Sequence, residues 1–200
     1  MAFNGEITAQ ELISALTQNL ESENNEMLIE FIRMILFDKS LPYSKNIFSW
    51  IPQSNPNEIK LYNQTMTALQ SVLKRRLQSA EPSSGLQSQF FEMWLSTINS
   101  KEHSAKLNSM LKGGTPIRGL QLSNRSRWLV VDALARLNDR NIIKLISKEK
   151  KRSDTINQQR KSLKALAHIG SDQYKIKLLG NRNPGIGIYL GRNCSKRLLK

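Results

Sequence analysis

The chain has 200 residues, of which 39% are hydrophobic, a formal net charge of +14 and a single cysteine. This length suits one domain of ordinary size with a buried core. The single cysteine excludes an internal disulfide and a thiolate metal cage, and no apolar run of about 18 residues is long enough to span a membrane.

The charge is divided unevenly along the chain. Residues 1–100 hold 7 Lys and Arg against 10 Asp and Glu, whereas residues 101–200 hold 23 against 6. The positive excess therefore belongs to the second half. The first ten residues lack the basic and then apolar pattern of a signal peptide, so we expect a cytoplasmic protein.

Capping residues and apolar periodicity predict a pair of antiparallel helices at the start of the chain. Thr8 and Glu11 have the spacing of a capping box, and Asn24 or Asn25 can cap the second helix. The apolar residues at helical spacing are Leu12, Ile13, Leu16 and Leu20 in the first helix and Met27, Leu28, Phe31, Ile32, Ile35 and Leu36 in the second.

Prolines interrupt the chain between Ser40 and Asn57, where we expect no long regular element. The apolar side chains of this stretch are expected to be buried over a neighbouring helix; they are Tyr43, Ile47, Phe48, Trp50 and Ile51. A long helix is predicted from Asn57 to about Gln78. An aromatic-rich helix follows, capped by Ser83 or Ser84, with its core face at Leu86, Phe90, Phe91, Trp94, Leu95 and Ile98.

The region around Leu111–Leu137 predicts a helix end, an anchored loop and a new helix. Gly113 and Gly114 favour the left-handed conformation that closes a helix, and Ser123 or Asn124 can cap the next one. Apolar anchors are expected at Ile117, Leu120 and Leu122, and a core face at Trp128, Val131, Leu134 and Ala135. Two further helices are predicted, one through Ile142 to Ile146 and one starting at Ser153 or Asp154.

The order of these elements predicts an all-α fold. Helix starts near residues 8, 57, 101 and 139 open successive helix pairs about 40 to 50 residues apart, a spacing typical of stacked antiparallel helical hairpins in a HEAT-like α-solenoid. After Gly170 the chain is rich in glycine and basic residues. We therefore expect a helical domain over residues 1–170 and a poorly ordered basic tail over residues 171–200.

A family resemblance is carried by the run GLQLSNRSRW, in which Gly119, Leu120, Leu122, Arg127 and Trp128 match the pattern G-L-x-L-x-x-x-x-R-W. The run IIKLISKE over 142–149, Asp154, and the upstream turn at 80–82 (Ala-Glu-Pro) extend the match. Over roughly residues 5–170 the chain resembles the C-terminal helical domain of the aminopeptidase N family, the gluzincin zinc metalloaminopeptidases, and most closely its bacterial branch.

The resemblance implies a non-catalytic domain, or a fragment, that closes the substrate chamber of an enzyme removing N-terminal amino acids from peptides. Its partners would be the zinc-bearing catalytic domain and peptide substrates. Arg118, Arg125 and Arg127 are candidates to face the chamber and attract a peptide carboxylate. For Arg127 the alternative is an ion pair or hydrogen bond within the domain, beneath Trp128.

The sequence offers no catalytic or metal-binding residue of its own. The gluzincin mechanism needs H-E-x-x-H, which holds zinc through two histidines one helical turn apart. His103 and His168 are far apart and neither begins that motif, while Cys194 has no histidine near it in sequence. Zinc is therefore expected in a catalytic domain outside this chain, and the chain alone should be inactive.

A second interpretation is a basic helical scaffold that binds nucleic acid or a protein partner. The runs KEKKR at 148–152 and RK at 160–161 could neutralise phosphates, and stacked hairpins offer concave surfaces to proteins. No helix-turn-helix or RNA-binding motif accompanies these charges, and a charged run at a helix end is commonly a solvated face.

Overall fold

The structure, a computed structural model, describes residues 7–37, 47–114, 116–152 and 155–170. Within these ranges all regular structure is helical, which confirms the predicted all-α fold. The α-helices are α1 (Ala9–Ser22), α2 (Glu26–Phe37), α3 (Pro56–Ser79), α4 (Gly85–Thr97), α5 (Ser104–Leu111), α6 (Asn124–Arg136), α7 (Ile142–Lys150) and α8 (Ile156–His168). Short 3-10 helices lie at Ile47–Trp50 and Lys101–His103.

Helix starts are fixed by polar side chains that accept hydrogen bonds from free backbone amides. At α1 the capping box is present as predicted: the Glu11 amide donates to Thr8 Oγ1 at 3.1 Å, and the Thr8 amide donates to Glu11 Oε2 at 2.8 Å. Ser84 caps α4 and Ser123 caps α6. At α8 the cap is Thr155, not the predicted Ser153 or Asp154, which lie outside the described residues.

The chain divides into two compact units. The first comprises Met1–Ile98 with Ser109–Leu122, and the second comprises Asn99–Asn108 with Ser123–Lys200. In the first unit α3 packs against α1 and α4, and α2 packs against α4 and α1. In this unit α1 with α2 and α3 with α4 thus pack as predicted for hairpins, while the continuous solenoid stays a prediction.

The core of the first unit is built around the aromatic face of α4. Phe90, Phe91, Trp94, Leu95 and Ile98 are all buried, as the helical spacing predicted. The rings of Phe91 and Trp94 lie 6.2 Å apart in a tilted arrangement. Because aromatic side chains bury large areas, this face supplies much of the apolar surface that holds α3 and α2 to α4.

The burial of α2 differs from the face predicted for it. The buried side chains are Ile29, Ile32 and Leu36, whereas three members of the predicted face, Met27, Leu28 and Phe31, are 83%, 49% and 59% exposed. Both sets fit helical spacing, because α2 is apolar on both sides. Packing against α4 selects one set, and the other is left on the surface.

The proline-rich stretch places most of its described apolar residues in the core, which confirms the prediction for them. Ile47, Phe48 and Ile51 are buried, and the Phe48 ring stacks on Phe37 with 5.9 Å between ring centroids. Trp50 remains 37% exposed. Tyr43 lies outside the described residues.

The loop between α5 and α6 is pinned to the start of α4. Gln87 is buried and donates from Nε2 to the carbonyl oxygen of Arg118 at 2.8 Å, and Ser83 Oγ donates to the carbonyl oxygen of Gly119 at 2.8 Å. Ile117 and Leu120 are buried beneath the loop as predicted. Two consecutive backbone carbonyl groups of the loop are therefore held by side chains at and just before the first turn of α4.

Two glycines of this region adopt left-handed backbone conformations for different reasons. Gly113 (φ +96°) ends α5 and has no neighbour within 4 Å of the position that a Cβ would occupy. Gly119 (φ +74°) would place a Cβ only 2.7 Å from Pro82 Cα. Gly113 is required by conformation alone, and Gly119 by conformation and by close packing.

We expect Gly119→Ala to destabilise the chain by about 3 kcal/mol or more, because it combines left-handed strain with a backbone clash. Gly113→Ala should cost only about 1 kcal/mol, the strain alone. Urea unfolding followed by circular dichroism measures both. Equal losses for the two variants would show that Pro82 moves aside and that packing does not require Gly119.

Candidate functional site

Helix α6 is the central element of the second unit and carries the residues on which the family resemblance depends. It packs against α7 and α8, which also pack against each other. Trp128, Val131, Leu134 and Ala135 are buried as predicted. Arg127, next to Trp128, also points inward and is 9% exposed, so a cation occupies a position in the buried face of this helix.

The Arg127 guanidinium forms a two-point ion pair with Glu149 of α7. Nε donates to Oε2 at 2.8 Å and Nη2 donates to Oε1 at 2.5 Å, and the Glu149 side chain is only 2% exposed. Arg152 approaches the same carboxylate at 3.6 Å from the exposed side. The hydrogen bond to Glu149 raises the pKa of Arg127 against the opposing effect of burial, so the charged form of the guanidinium is favoured.

A second polar contact links α6 to α8. Asp132 Oδ1 lies 2.5 Å from His168 Nδ1, with both side chains partly buried. Burial acts to raise the pKa of Asp132, but the hydrogen bond and charge of His168 and the nearby charges of Lys164 and Arg136 outweigh it. The pKa of Asp132 is therefore lowered, and the carboxylate form is favoured in the folded chain.

Hydrogen bonds from amide groups add further polar contacts within the second unit. Asn108 Nδ2 donates to Asp139 Oδ2 at 2.9 Å, and the Gly170 amide donates to Asn138 Oδ1 at 2.8 Å. Gln158 of α8 donates from Nε2 to Asn124 Oδ1 at the start of α6, at 2.9 Å. Both ends of α6 and the residues that follow it are thus fixed by directional contacts.

The three arginines predicted to face a substrate chamber occupy different environments. Arg118 is exposed in the loop of the first unit, where only its backbone carbonyl has a described bond. Arg125 is exposed in the first turn of α6, and Arg127, two residues later, is buried against Glu149. The guanidinium of Arg127 serves an intradomain ion pair, and the chamber role stays a prediction for all three.

The described residues do not offer a zinc site. Among them no group of three or more His, Cys, Asp and Glu side chains could hold a metal ion. His168 is half-buried and faces Asp132, and His103 is also half-buried. Cys194 lies outside the described residues.

Sequence reasoning named Glu149 within the family pattern but did not predict that it pairs with Arg127. Its position contains a signal: Ile142, Ile146 and Glu149 share one face of α7, so the carboxylate continues an apolar stripe. A charge at such a position needs a buried partner. The contact between Asp132 and His168 has no comparable signal, because both residues lie at the edges of their apolar faces.

Comparison with models of protein families and with curated proteins found no match for this chain. In the described part of the chain no helix combines the length and hydropathy needed to cross a membrane.

We expect Arg127→Met or Glu149→Leu alone to destabilise the chain by about 3–5 kcal/mol, because each removes both hydrogen bonds that a buried charge makes across the pair. The double variant should recover most of that loss, since neither charge remains. Denaturant unfolding of the four proteins gives the coupling energy.

An exposed pair on the first unit provides the control for this cycle. Arg75 and Glu21 are joined at 2.6 Å, with side chains 62% and 54% exposed. Arg75→Met should change stability by no more than about 1 kcal/mol, because water solvates the remaining carboxylate. Additive losses at Arg127 and Glu149 would contradict a coupled buried pair.

The lowered pKa of Asp132 predicts a specific loss of stability in acid. Its carboxylate stabilises the folded chain above the unfolded pKa of about 4, and this contribution disappears as the pH falls through the lower folded value. Asp132→Asn should therefore lose less stability than wild type between neutral pH and about pH 3. Glu81→Gln, at an exposed carboxyl, controls for removing a negative charge; identical acid profiles for Asp132→Asn and wild type would refute the prediction.

Proposed function

We propose that this chain is the non-catalytic helical domain of a zinc metalloaminopeptidase and closes the substrate chamber over a catalytic domain encoded outside these 200 residues. The observation that carries the proposal is the bond between Arg127 and Glu149. These residues belong to two separate parts of the family pattern, the R-W pair and the run ending in Glu149. In the fold these two parts of the pattern form one ion pair that joins α6 to α7.

Other parts of the pattern also have defined structural roles. Trp128 is buried beside Arg127. Position 119 requires the glycine of the family pattern, because a Cβ there would clash with Pro82. Pro82 itself belongs to the upstream turn of the resemblance. The residues on which the resemblance depends are thus ones that the packing of this chain requires, which supports a shared fold.

In this proposal the chain contributes access and charge, and the chemistry belongs to the catalytic domain. A helical wall beside a zinc site limits entry of long substrates and keeps peptides oriented. Arg118 is exposed on the surface of the first unit and could hold a peptide carboxylate through charge-assisted hydrogen bonds. Arg127 would stabilise this helical wall by joining α6 to α7 through its ion pair with Glu149.

The proposal is tested by measuring hydrolysis of fluorogenic aminoacyl substrates and of peptides in the presence of zinc. The chain alone, a gluzincin catalytic domain alone and their mixture are compared. We expect no turnover from the chain alone and a rate in the mixture above that of the catalytic domain, with the larger gain for peptides. Unchanged rates in the mixture for both substrate types would overturn the proposal.

Arg118→Ala provides a sharper test of the chamber surface. In the mixture it should raise KM about fivefold to tenfold for peptides with a free C-terminal carboxylate, the equivalent of about 1 kcal/mol, and leave amidated peptides unchanged. Lys60→Ala, at an exposed position on α3, is the matched control. Equal effects of Arg118→Ala on free and amidated peptides would remove Arg118 from substrate recognition.

A further inference from the structure

The α7–α8 hairpin has a strongly basic outer surface. Glu149 is the only carboxylate in the sequence of α7, and α8 contains none, whereas the two helices carry Lys144, Lys148, Lys150, Arg160, Lys161 and Lys164. Lys151 and Arg152 follow directly after α7, and Asp154 of the connection lies outside the described residues. Few negative charges in the hairpin are available to offset its cations.

The basic residues of α7 form a regular stripe on its solvent side. Ile142, Ile146 and Glu149 define the buried face. Lys144, Lys148 and Lys151 are all exposed and are spaced by four and then three residues, which places them on the opposite side of the helix. Neighbours in this lysine stripe are thus separated by about 4.5–6 Å along the helix axis.

Helix α8 repeats this arrangement. Its buried side chains are Gln158, Ser162 and Ala165, and exposed Arg160 and Lys164 are four residues apart on the other side. Since α7 and α8 pack together, the two sets of cations lie on adjoining helices of the same unit. Lys164 also lies near Asp132, so the stripe on α7 is the less compensated of the two.

Three described carboxylates of the second unit face partners within that unit, while Glu102 is exposed in the short 3-10 helix Lys101–His103. Glu149 is buried against Arg127, Asp132 faces His168, and Asp139 accepts a hydrogen bond from Asn108. Internal pairing therefore removes negative charge from the surface while Lys144, Lys148 and Lys151 remain in water. Such a surface has a net positive potential, and that potential attracts polyanions.

From this arrangement we infer that the outer face of the α7–α8 hairpin binds the phosphate backbone of nucleic acid, through Lys144, Lys148 and Lys151 and without reading base sequence. Regularly spaced cations suit a regularly charged polymer, and such contacts give affinity without sequence information. A membrane surface fits less well, because an interfacial helix inserts an apolar face, and Ile142 and Ile146 of α7 are already buried in the unit.

The inference is tested by fluorescence anisotropy of the full chain with a short fluorescein-labelled DNA duplex and with single-stranded RNA of the same length. Binding should weaken steeply between about 50 and 200 mM salt, because bound cations release counterions. Lys144→Ala combined with Lys148→Ala should reduce affinity about tenfold and lower the slope of log K against log salt by about 2. Both sites are exposed helix positions where alanine favours helix formation.

Lys60→Ala combined with Lys74→Ala is the matched control, since both residues are exposed on α3 of the first unit. It should leave affinity and salt slope close to wild type. No binding at about 50 mM salt would overturn the inference. So would equal losses in the two double variants, unchanged binding by the α7 variant, or binding only to phosphatidylserine vesicles.

The result of the nucleic acid binding measurement is independent of the result of the aminopeptidase test. Loss of nucleic acid binding in the α7 variant together with unchanged peptide hydrolysis in the mixture would show two separate surfaces. Enhanced hydrolysis with no binding to either nucleic acid would retain the proposed function and reject the basic surface.

Discussion

The ion pair between Arg127 and Glu149 is the interaction on which the organisation of the second unit depends. Two opposite charges lie where apolar side chains would otherwise pack, and each offsets the cost of burying the other. The pair fixes the register of α6 against α7 in a way that apolar contacts alone would not. A leucine can slide by a fraction of a turn, but a two-point hydrogen bond has one geometry.

This constraint also shapes the surface of the unit. Glu149 of α7 is buried against Arg127, and Asp132 of α6 contacts His168. The charged side chains that α7 exposes to solvent are therefore all lysines. The same internal pairing that orders the helices therefore creates the electrostatic character of their outer face. Because the second half of the chain has few acidic residues, each carboxylate that is paired in the interior leaves fewer to offset the cations on the surface.

Local signals explain which parts of the fold could be predicted from sequence. The capping box of Thr8 and Glu11 and the left-handed Gly113 depend on neighbours within a few residues, and both were predicted. The buried face of α2 was predicted only in part, at Ile32 and Leu36, because Ile29 and Phe31 both fit helical spacing and only tertiary packing distinguishes them. The partners of Arg127 and Asp132 are 22 and 36 residues away, beyond the reach of periodicity.

The outward face of α2 has a thermodynamic consequence. Met27, Leu28 and Phe31 expose apolar surface on a helix that is ordered by its other side. Any molecule that covers this surface binds the folded chain and not the unfolded one, so its binding free energy adds to the stability of the fold. The thermal midpoint of unfolding then rises with the concentration of any molecule that binds this face of α2.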